Sequence, residues 1–181
     1  MNKNWHYRPA WVQLALWKDM VGLEVGVAKG TNARYMLSNL SIKKLYLIDP
    51  YFKQSDEFDE AGERPYIEGT EHPDAQEIAK KVLKSFNDKI EWLVGTTEQM
   101  IDKVPDNSLD FCYIDGCHEY ESVKLDIELC YPKVKVGGIL GGHDFVQEHQ
   151  GVIKAWIERF GKNKLFVSNR DVWIAKGTQI G

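Results

Sequence analysis

Short segments of β-forming residues alternate along this chain with segments in which apolar residues recur at helical spacing. The predicted strands are residues 23–27, 45–48, 90–94, 109–114, 139–140, 164–167 and 172–175. Between the first two strands, apolar residues fall at i, i+3, i+4 and i+7, as on one face of a helix: Ala33, Met36, Leu37 and Leu40. This alternation predicts a mostly parallel sheet with helices on both faces.

The last two predicted strands differ from the others because a short turn joins them directly. The turn is Ser168-Asn169-Arg170-Asp171, whose residue types favour tight turns. Strands joined in this way form an antiparallel hairpin. We therefore predict an α/β fold: a Rossmann-like, doubly wound sheet of seven strands, mostly parallel, with the last strand antiparallel.

The length of 181 residues and the mass of 20.8 kDa are those of one domain. Hydrophobic residues make up 43% of the chain and charged residues 28%, which indicates a packed globule rather than disorder. Within a single domain over 1–181, we expect 1–21 to be an N-terminal extension. Residues 52–73 are polar and follow the second strand, and they form either a lid or a disordered insertion.

Charge and composition exclude several kinds of partner. The net charge of −4 and the pI near 5.8 argue against binding to nucleic acid or to an anionic membrane. No apolar run approaches the ~20 residues that span a bilayer, and the first residues lack the apolar middle of a signal peptide. The three cysteines form no zinc-type pair, so we expect a reduced, cytoplasmic protein.

Ligands of open α/β sheets bind beyond the carboxyl ends of the strands, so the residues that follow each strand matter most. After the first strand, a turn with Gly26 and Gly30 leads into a helix, but it lacks the Gly-x-Gly-x-x-Gly pattern of dinucleotide sites. Asp49 ends the second strand, where an acid can accept hydrogen bonds from a ribose diol or can simply order the loop. Together these features favour an adenosine ligand without a pyrophosphate.

Three further strand ends carry polar residues. Thr96 and Thr97 follow the third strand, where their hydroxyls either bond adenine or cap the next helix. The fourth and fifth strands end in two acids and two histidines: Asp115, His118, His143 and Asp144. Adjacent strand ends would bring these four side chains together. Their alternative role is to hydrogen-bond the loop backbone and shape the pocket.

Four segments carry a family resemblance: 24–30 (EVGVAKG), 46–51 (YLIDPY), 114–120 (IDGCHEY) and 137–144 (GGILGGHD). They resemble class I S-adenosylmethionine-dependent methyltransferases. The nearest branch is that of small domains related to macrolide-sugar O-methyltransferases and cephalosporin-hydroxylase-like proteins. The resemblance covers residues 22–175, nearly the whole chain.

The resemblance implies roles for the residues at the strand ends. Gly26 and Gly30 would cradle the methionine part of S-adenosylmethionine, and Glu24 would support the turn. Asp49 would hold the ribose hydroxyls. The remaining cofactor contacts would come from Thr96 or Thr97 near adenine and from Asp115 near the methionine amino group or a metal.

Methyl transfer to a hydroxyl requires alignment for in-line displacement and removal of a proton. His118 is the candidate base, since an unperturbed histidine titrates near neutrality. Asp115 and Asp144 offer oxygen ligands for Mg²⁺, with His143 as a third ligand or a second base. A histidine at that position favours Mn²⁺ or Fe²⁺ over Mg²⁺.

The favoured hypothesis is an S-adenosylmethionine-dependent O-methyltransferase for a small hydroxylated acceptor, such as a sugar or a secondary metabolite. One alternative is an NAD(P)-dependent oxidoreductase, against which the missing dinucleotide turn counts. Another is a non-catalytic module that keeps the nucleotide fold as an interaction surface. We expect a small-molecule acceptor as the partner, no nucleic acid, no membrane, and a homodimer contact as one option for the N-terminal extension.

Overall fold

The computed structural model describes residues 9–54, 66–71 and 73–177. Its α-helices are α1 (Pro9–Leu14), α2 (Thr31–Asn39), α3 (Pro73–Val82), α4 (Thr97–Met100), α5 (Tyr120–Cys130) and α6 (Gln150–Phe160). Its strands are β1 (Met20–Val25), β2 (Ile42–Asp49), β3 (Phe52–Gln54), β4 (Tyr66–Glu71), β5 (Ile90–Val94), β6 (Leu109–Ile114), β7 (Val134–Gly142), β8 (Phe166–Ser168) and β9 (Asp171–Ala175). None of the described helices is long and apolar enough to cross a membrane.

Seven strands form one sheet in the order β5-β2-β1-β6-β7-β9-β8. The first five are parallel, and β9 runs antiparallel to both of its neighbours. This arrangement confirms the predicted mostly parallel sheet with its antiparallel last strand. The chain leaves β1 towards β2 on one side and returns to β6 on the other, so the strand order reverses between β1 and β6. Ligands of open α/β sheets bind at such a reversal.

The polar region after β2 contains more regular structure than the sequence suggested. The strands β3 and β4 pair in a small antiparallel sheet of two strands. Short polar strands without clean alternation give little hydrophobic signal, so the sequence pattern did not reveal them. Residues 55–65 lie outside the described part, and the lid role stays a prediction.

Hydrophobic residues form one cluster on each face of the sheet. On β6, Cys112 and Ile114 belong to the cluster under α5 and α6, while Phe111 and Tyr113 belong to the cluster under α1 and α2. Successive strand residues point to opposite faces, so both faces of a central strand are apolar. Helices therefore cover both faces, as predicted.

The leading helix packs on the sheet through Trp11. This side chain is only 4% exposed, and its ring centroid lies 4.6 Å from that of Tyr113 and 5.8 Å from that of Phe111. The earlier aromatic residues Trp5 and Tyr7 lie outside the described part of the chain. Trp11 thus packs α1 onto the sheet, and the homodimer contact of the N-terminal extension stays a prediction.

Replacing Trp11 with alanine is expected to lower the free energy of unfolding by about 3–5 kcal/mol, because it leaves a large cavity beneath α1. Urea unfolding of the purified variant measures this loss. Leu16→Ala is the control, since Leu16 is 89% exposed and its truncation should change stability by less than about 0.5 kcal/mol. Equal effects of the two substitutions would contradict the packing described for α1.

Candidate active site

The turn after β1 requires glycine at Gly26. This residue has a φ of 84°, and a Cβ atom placed on it would lie 2.1 Å from the backbone oxygen of Asp115. Its N–H donates to the carbonyl of Ile48 at 3.0 Å. Gly30, with a φ of 75°, precedes the first residue of α2. The turn therefore packs directly against the loop that follows β6.

Glu24 links β1 to the helix that follows this turn. Its side chain is 1% exposed, and its Oε1 accepts a hydrogen bond of 2.8 Å from Asn32 Nδ2 in the first turn of α2. A charged acceptor bonded to a neighbouring helix fixes the angle between strand and helix. This geometry agrees with the supporting role that the resemblance implied.

Asp49 holds the same turn from the side of β2. Its Oδ2 accepts from the backbone N–H of Val27 at 2.7 Å and of Ala28 at 2.8 Å, and its Oδ1 accepts from that of Tyr51 at 2.6 Å. A carboxylate offers about four acceptor positions. Among the described residues, one position on Oδ1 thus remains for a ribose hydroxyl, so the residue fits the predicted role.

The two threonines after β5 have different partners. Thr96 is the N-cap of α4 and forms a capping box with Gln99, so the capping alternative holds for Thr96. Thr97 is 6% exposed, and its side chain hydrogen-bonds Asp126 of α5. Burial raises the pKa of Asp126 to about 6, although the bond from Thr97 lowers it in part.

The buried Asp126 predicts a pH dependence of stability. Because its pKa rises from 3.8 to about 6 on folding, the native state holds the proton more tightly, and stability falls as the pH rises between these values. Asp126→Asn lacks this loss, so the variant should gain about 2 kcal/mol relative to wild type between pH 4 and pH 7. Urea unfolding at several pH values measures the difference, and a pH-independent difference would contradict the prediction.

The predicted acids and histidines meet at the tips of β6 and β7, around Asp144. Its Oδ2 lies 3.0 Å from His118 Nε2 and 3.0 Å from His143 Nδ1. Its Oδ1 accepts from the Arg170 guanidinium. His143 Nδ1 is also 3.3 Å from Asp115 Oδ1. All four residues predicted from the strand ends therefore belong to one cluster.

The environment of Asp144 keeps its carboxylate ionised at neutral pH. Burial alone would raise its pKa, but hydrogen bonds from His118, His143 and Arg170 outweigh burial and hold the pKa well below the usual range. A carboxylate in this state can orient an imidazole and stabilise its protonated form. It can also bind a divalent cation.

Two overlapping groups in the cluster have the spacing of metal ligands. Asp115, His143 and Asp144 form one group, and Asp144 forms the other with His118 and His149; in each group the ligand atoms lie within 4.8 Å of one another. Nitrogen and oxygen donors together suit first-row transition ions better than Mg²⁺, which prefers oxygen. The donor set therefore fits the predicted metal at Asp115, His143 and Asp144.

Two members of the cluster, His149 and Arg170, were not predicted from the sequence. The ring of His149 lies against that of His118 at a tilt of 42°, with centroids 4.0 Å apart, and Arg170 binds Asp144 from the hairpin turn. His149 lies on the same connection as Asp144, which was a usable signal. Since β9 runs antiparallel to β7, the hairpin turn returns to the tip of β7, so the predicted topology alone could have placed Arg170 there.

Solved structures of methyltransferases share this fold at low sequence identity. The calicheamicin methyltransferase CalS11 has a TM-score of 0.67 at 16% identity, covering 93% of this chain and 77% of that chain. The O-methyltransferase NovP has a TM-score of 0.60 at 18% identity, with 93% and 76% covered. An rRNA methylase from Streptococcus thermophilus has a TM-score of 0.64 at 14% identity, with 95% and 98% covered. These likenesses define the class I S-adenosylmethionine-dependent methyltransferase fold.

Sequence comparison gives the family. A family model described as a methyltransferase domain matches residues 23–145, more than half of the chain. The chain therefore belongs to the methyltransferase-domain family. The uncharacterized protein y4gI of Sinorhizobium fredii (strain NBRC 101917 / NGR234) is 32% identical over 98 residues, or 50% of this chain, which spans 11% of that relative's length.

Proposed function

We propose that this protein is an S-adenosylmethionine-dependent O-methyltransferase for a small hydroxylated acceptor. The observation that carries the proposal is the contact between the glycine turn and the Asp144-centred cluster. Gly26 lies against the backbone of Asp115, whose side chain lies beside His143. A nucleoside held by the turn would thus have its reactive end next to the acids and histidines. This is the juxtaposition that methyl transfer to a hydroxyl requires.

The cofactor supplies an electrophilic methyl group on a sulfonium. The tips of β1 and β2 would hold it: Gly26 and Gly30 at the methionine part, Glu24 below the turn, and Asp49 at the ribose. The tips of β5 and β6 would complete the site, with Thr96 or Thr97 near adenine through the loop that they share rather than through their hydroxyls, and Asp115 near the methionine amino group. The unused acceptor position on Asp49 Oδ1 supports this placement.

The cluster would remove the proton of the acceptor hydroxyl. His118 is the proposed base, because Asp144 fixes its orientation and stabilises the imidazolium that forms. His143 contacts the same carboxylate oxygen and is the second candidate base. Where a divalent ion is bound, Asp115, His143 and Asp144 would hold it, and the ion would lower the pKa of the hydroxyl.

A small molecule is the acceptor that the chain supports best. CalS11 is described as a TDP-rhamnose 3′-O-methyltransferase, which favours a sugar hydroxyl among the acceptors. The rRNA methylase has the same fold, and its name gives a nucleic acid as its substrate. This chain carries a net charge of −4, and such a charge opposes binding to a phosphate backbone. We therefore propose no nucleic-acid substrate.

Isothermal titration with S-adenosylhomocysteine tests the cofactor half of the proposal. Wild type should bind, and Asp49→Ala should bind at least about tenfold more weakly, since the variant loses the ribose contact and loosens the turn. Asp110→Asn is the matched control. Asp110 also accepts from a backbone N–H, that of Val21 at 2.7 Å, but at the opposite end of the sheet. Absence of binding to folded wild type would overturn the proposal.

A further inference from the structure

Asp126 is a buried carboxyl group that lies outside the cluster and has no role in the proposed proton transfer. Asp126 is on α5 and is 9% exposed. The side chain of Thr97, the first residue of α4 directly after the loop that follows β5, hydrogen-bonds it. A Cβ atom placed on Gly116, in the loop after β6, would lie 3.6 Å from Asp126 Oδ2. Asp126 therefore lies next to two of the segments that border the proposed cofactor site.

The position of Asp126 on its helix does not require a carboxyl group. The buried face of α5 also contains Val123, Ile127 and Cys130, all of which pack in the hydrophobic cluster. An apolar residue at position 126 would continue this face. A buried carboxyl group lowers the stability of the folded protein unless its hydrogen bonds compensate. Its presence here therefore indicates a role in positioning the neighbouring loops.

The two loops stand on either side of the proposed nucleoside. In the sheet, β2 and β1 lie between β5 and β6, and the proposed ribose contact, Asp49, ends β2. A flat base above these two tips would lie between the loop of Thr97 and the loop of Gly116. The distance between the loops then determines whether the base fits, and Asp126 is a side chain that lies next to both.

We propose that Asp126 is a positioning residue for the adenine half of the cofactor. It fixes the spacing of the loops at residues 95–97 and 115–117 by accepting from Thr97 while its Oδ2 lies beside Gly116. The inference rests on the proposed function, because the ligand that these loops would hold is the nucleoside of the proposed cofactor. Asp126 acts through the loops and needs no contact with the reacting atoms.

The test compares binding of S-adenosylhomocysteine and of its fragment 5′-methylthioadenosine, by titration calorimetry, across a set of variants. Asp126→Ala and Thr97→Val should each weaken both ligands by the same factor, about tenfold, because the defect lies in the adenosine half. Asp126→Asn keeps an acceptor for Thr97, so it should retain most of the affinity that Asp126→Ala loses. Thr97→Ser keeps the donor, so it should retain most of the affinity that Thr97→Val loses. With a competent acceptor, KM for S-adenosylmethionine should rise in Asp126→Ala while kcat stays near that of wild type.

Ile127→Ala is the control for general destabilisation, since Ile127 is fully buried on the same helix but contacts the core rather than the loops. It should lower stability and leave both affinities unchanged. Equal loss of affinity in Ile127→Ala and Asp126→Ala would overturn the inference, as would unchanged binding of 5′-methylthioadenosine by folded Asp126→Ala. Failure of wild type to bind S-adenosylhomocysteine would instead overturn the proposed function, and this inference with it.

Discussion

Asp144→Asn is expected to lower kcat for methyl transfer by about a thousandfold. One oxygen of Asp144 contacts His118 and His143, and the other accepts from Arg170. An asparagine amide cannot neutralise Arg170 and accept from two imidazoles at once, so the proposed base loses both its orientation and its counter-charge. The measurement is the rate of S-adenosylhomocysteine formation with an acceptor that wild type turns over.

The control for this result is a carboxylate in an ion pair elsewhere. Asp106 lies 2.7 Å from Lys133 near the start of β7, and Asp106→Asn should leave kcat unchanged. Asp144→Asn should also retain its affinity for S-adenosylhomocysteine within a few-fold, since Asp144 is not among the proposed cofactor ligands. A kcat within threefold of wild type in Asp144→Asn would exclude the cluster as the proton-transfer site.

Gly26→Ala is expected to abolish measurable binding of S-adenosylhomocysteine. The added Cβ would lie 2.1 Å from the backbone oxygen of Asp115, and a backbone atom cannot move aside as a flexible side chain can. The substitution must therefore separate the glycine turn from the loop after β6. The strain and the clash together should cost about 3 kcal/mol or more of folding stability. Titration calorimetry and urea unfolding measure the two effects.

Gly137→Ala is a close control for this substitution. Gly137 has the same φ of 84°, but among the described residues no atom beyond its chain neighbours lies within 4 Å of the position that its Cβ would take. It should lose only the roughly 1–2 kcal/mol of the left-handed conformation and should bind the ligand like wild type. If Gly26→Ala and Gly137→Ala behaved alike, the close packing of the turn on Asp115 would be wrong.

The sequence predicted strands that consist mostly of apolar residues better than strands that contain glycine and charged residues. Residues 90–94 and 109–114 were predicted with the bounds that the structure shows for β5 and β6, because both segments are short runs of mostly apolar, β-forming residues. By contrast, β7 begins at Val134, five residues before the predicted 139. Lys135 and the glycines at 137 and 138 carry no hydrophobic signal, although their backbone belongs to the strand.

Which residues meet in the candidate site was predictable where their position at the end of a strand determines their place in the fold. Asp115, His118, His143 and Asp144 follow strands that a parallel sheet must place side by side. The roles of individual atoms were not predictable in the same way. That Asp49 accepts from three backbone N–H groups depends on how the loops fold, and no residue pattern encodes those distances.

The central claim is that a methylated nucleoside binds across the tips of β1 and β2 with its sulfur facing the Asp144-centred cluster. A crystal structure of the complex with S-adenosylhomocysteine tests it most directly. The account predicts a ribose hydroxyl hydrogen-bonded to Asp49 Oδ1, adenine between the loops at 95–97 and 115–117, and the sulfur beside Asp115. A nucleoside bound elsewhere on the protein, or bound here with its sulfur turned away from the cluster, would contradict it.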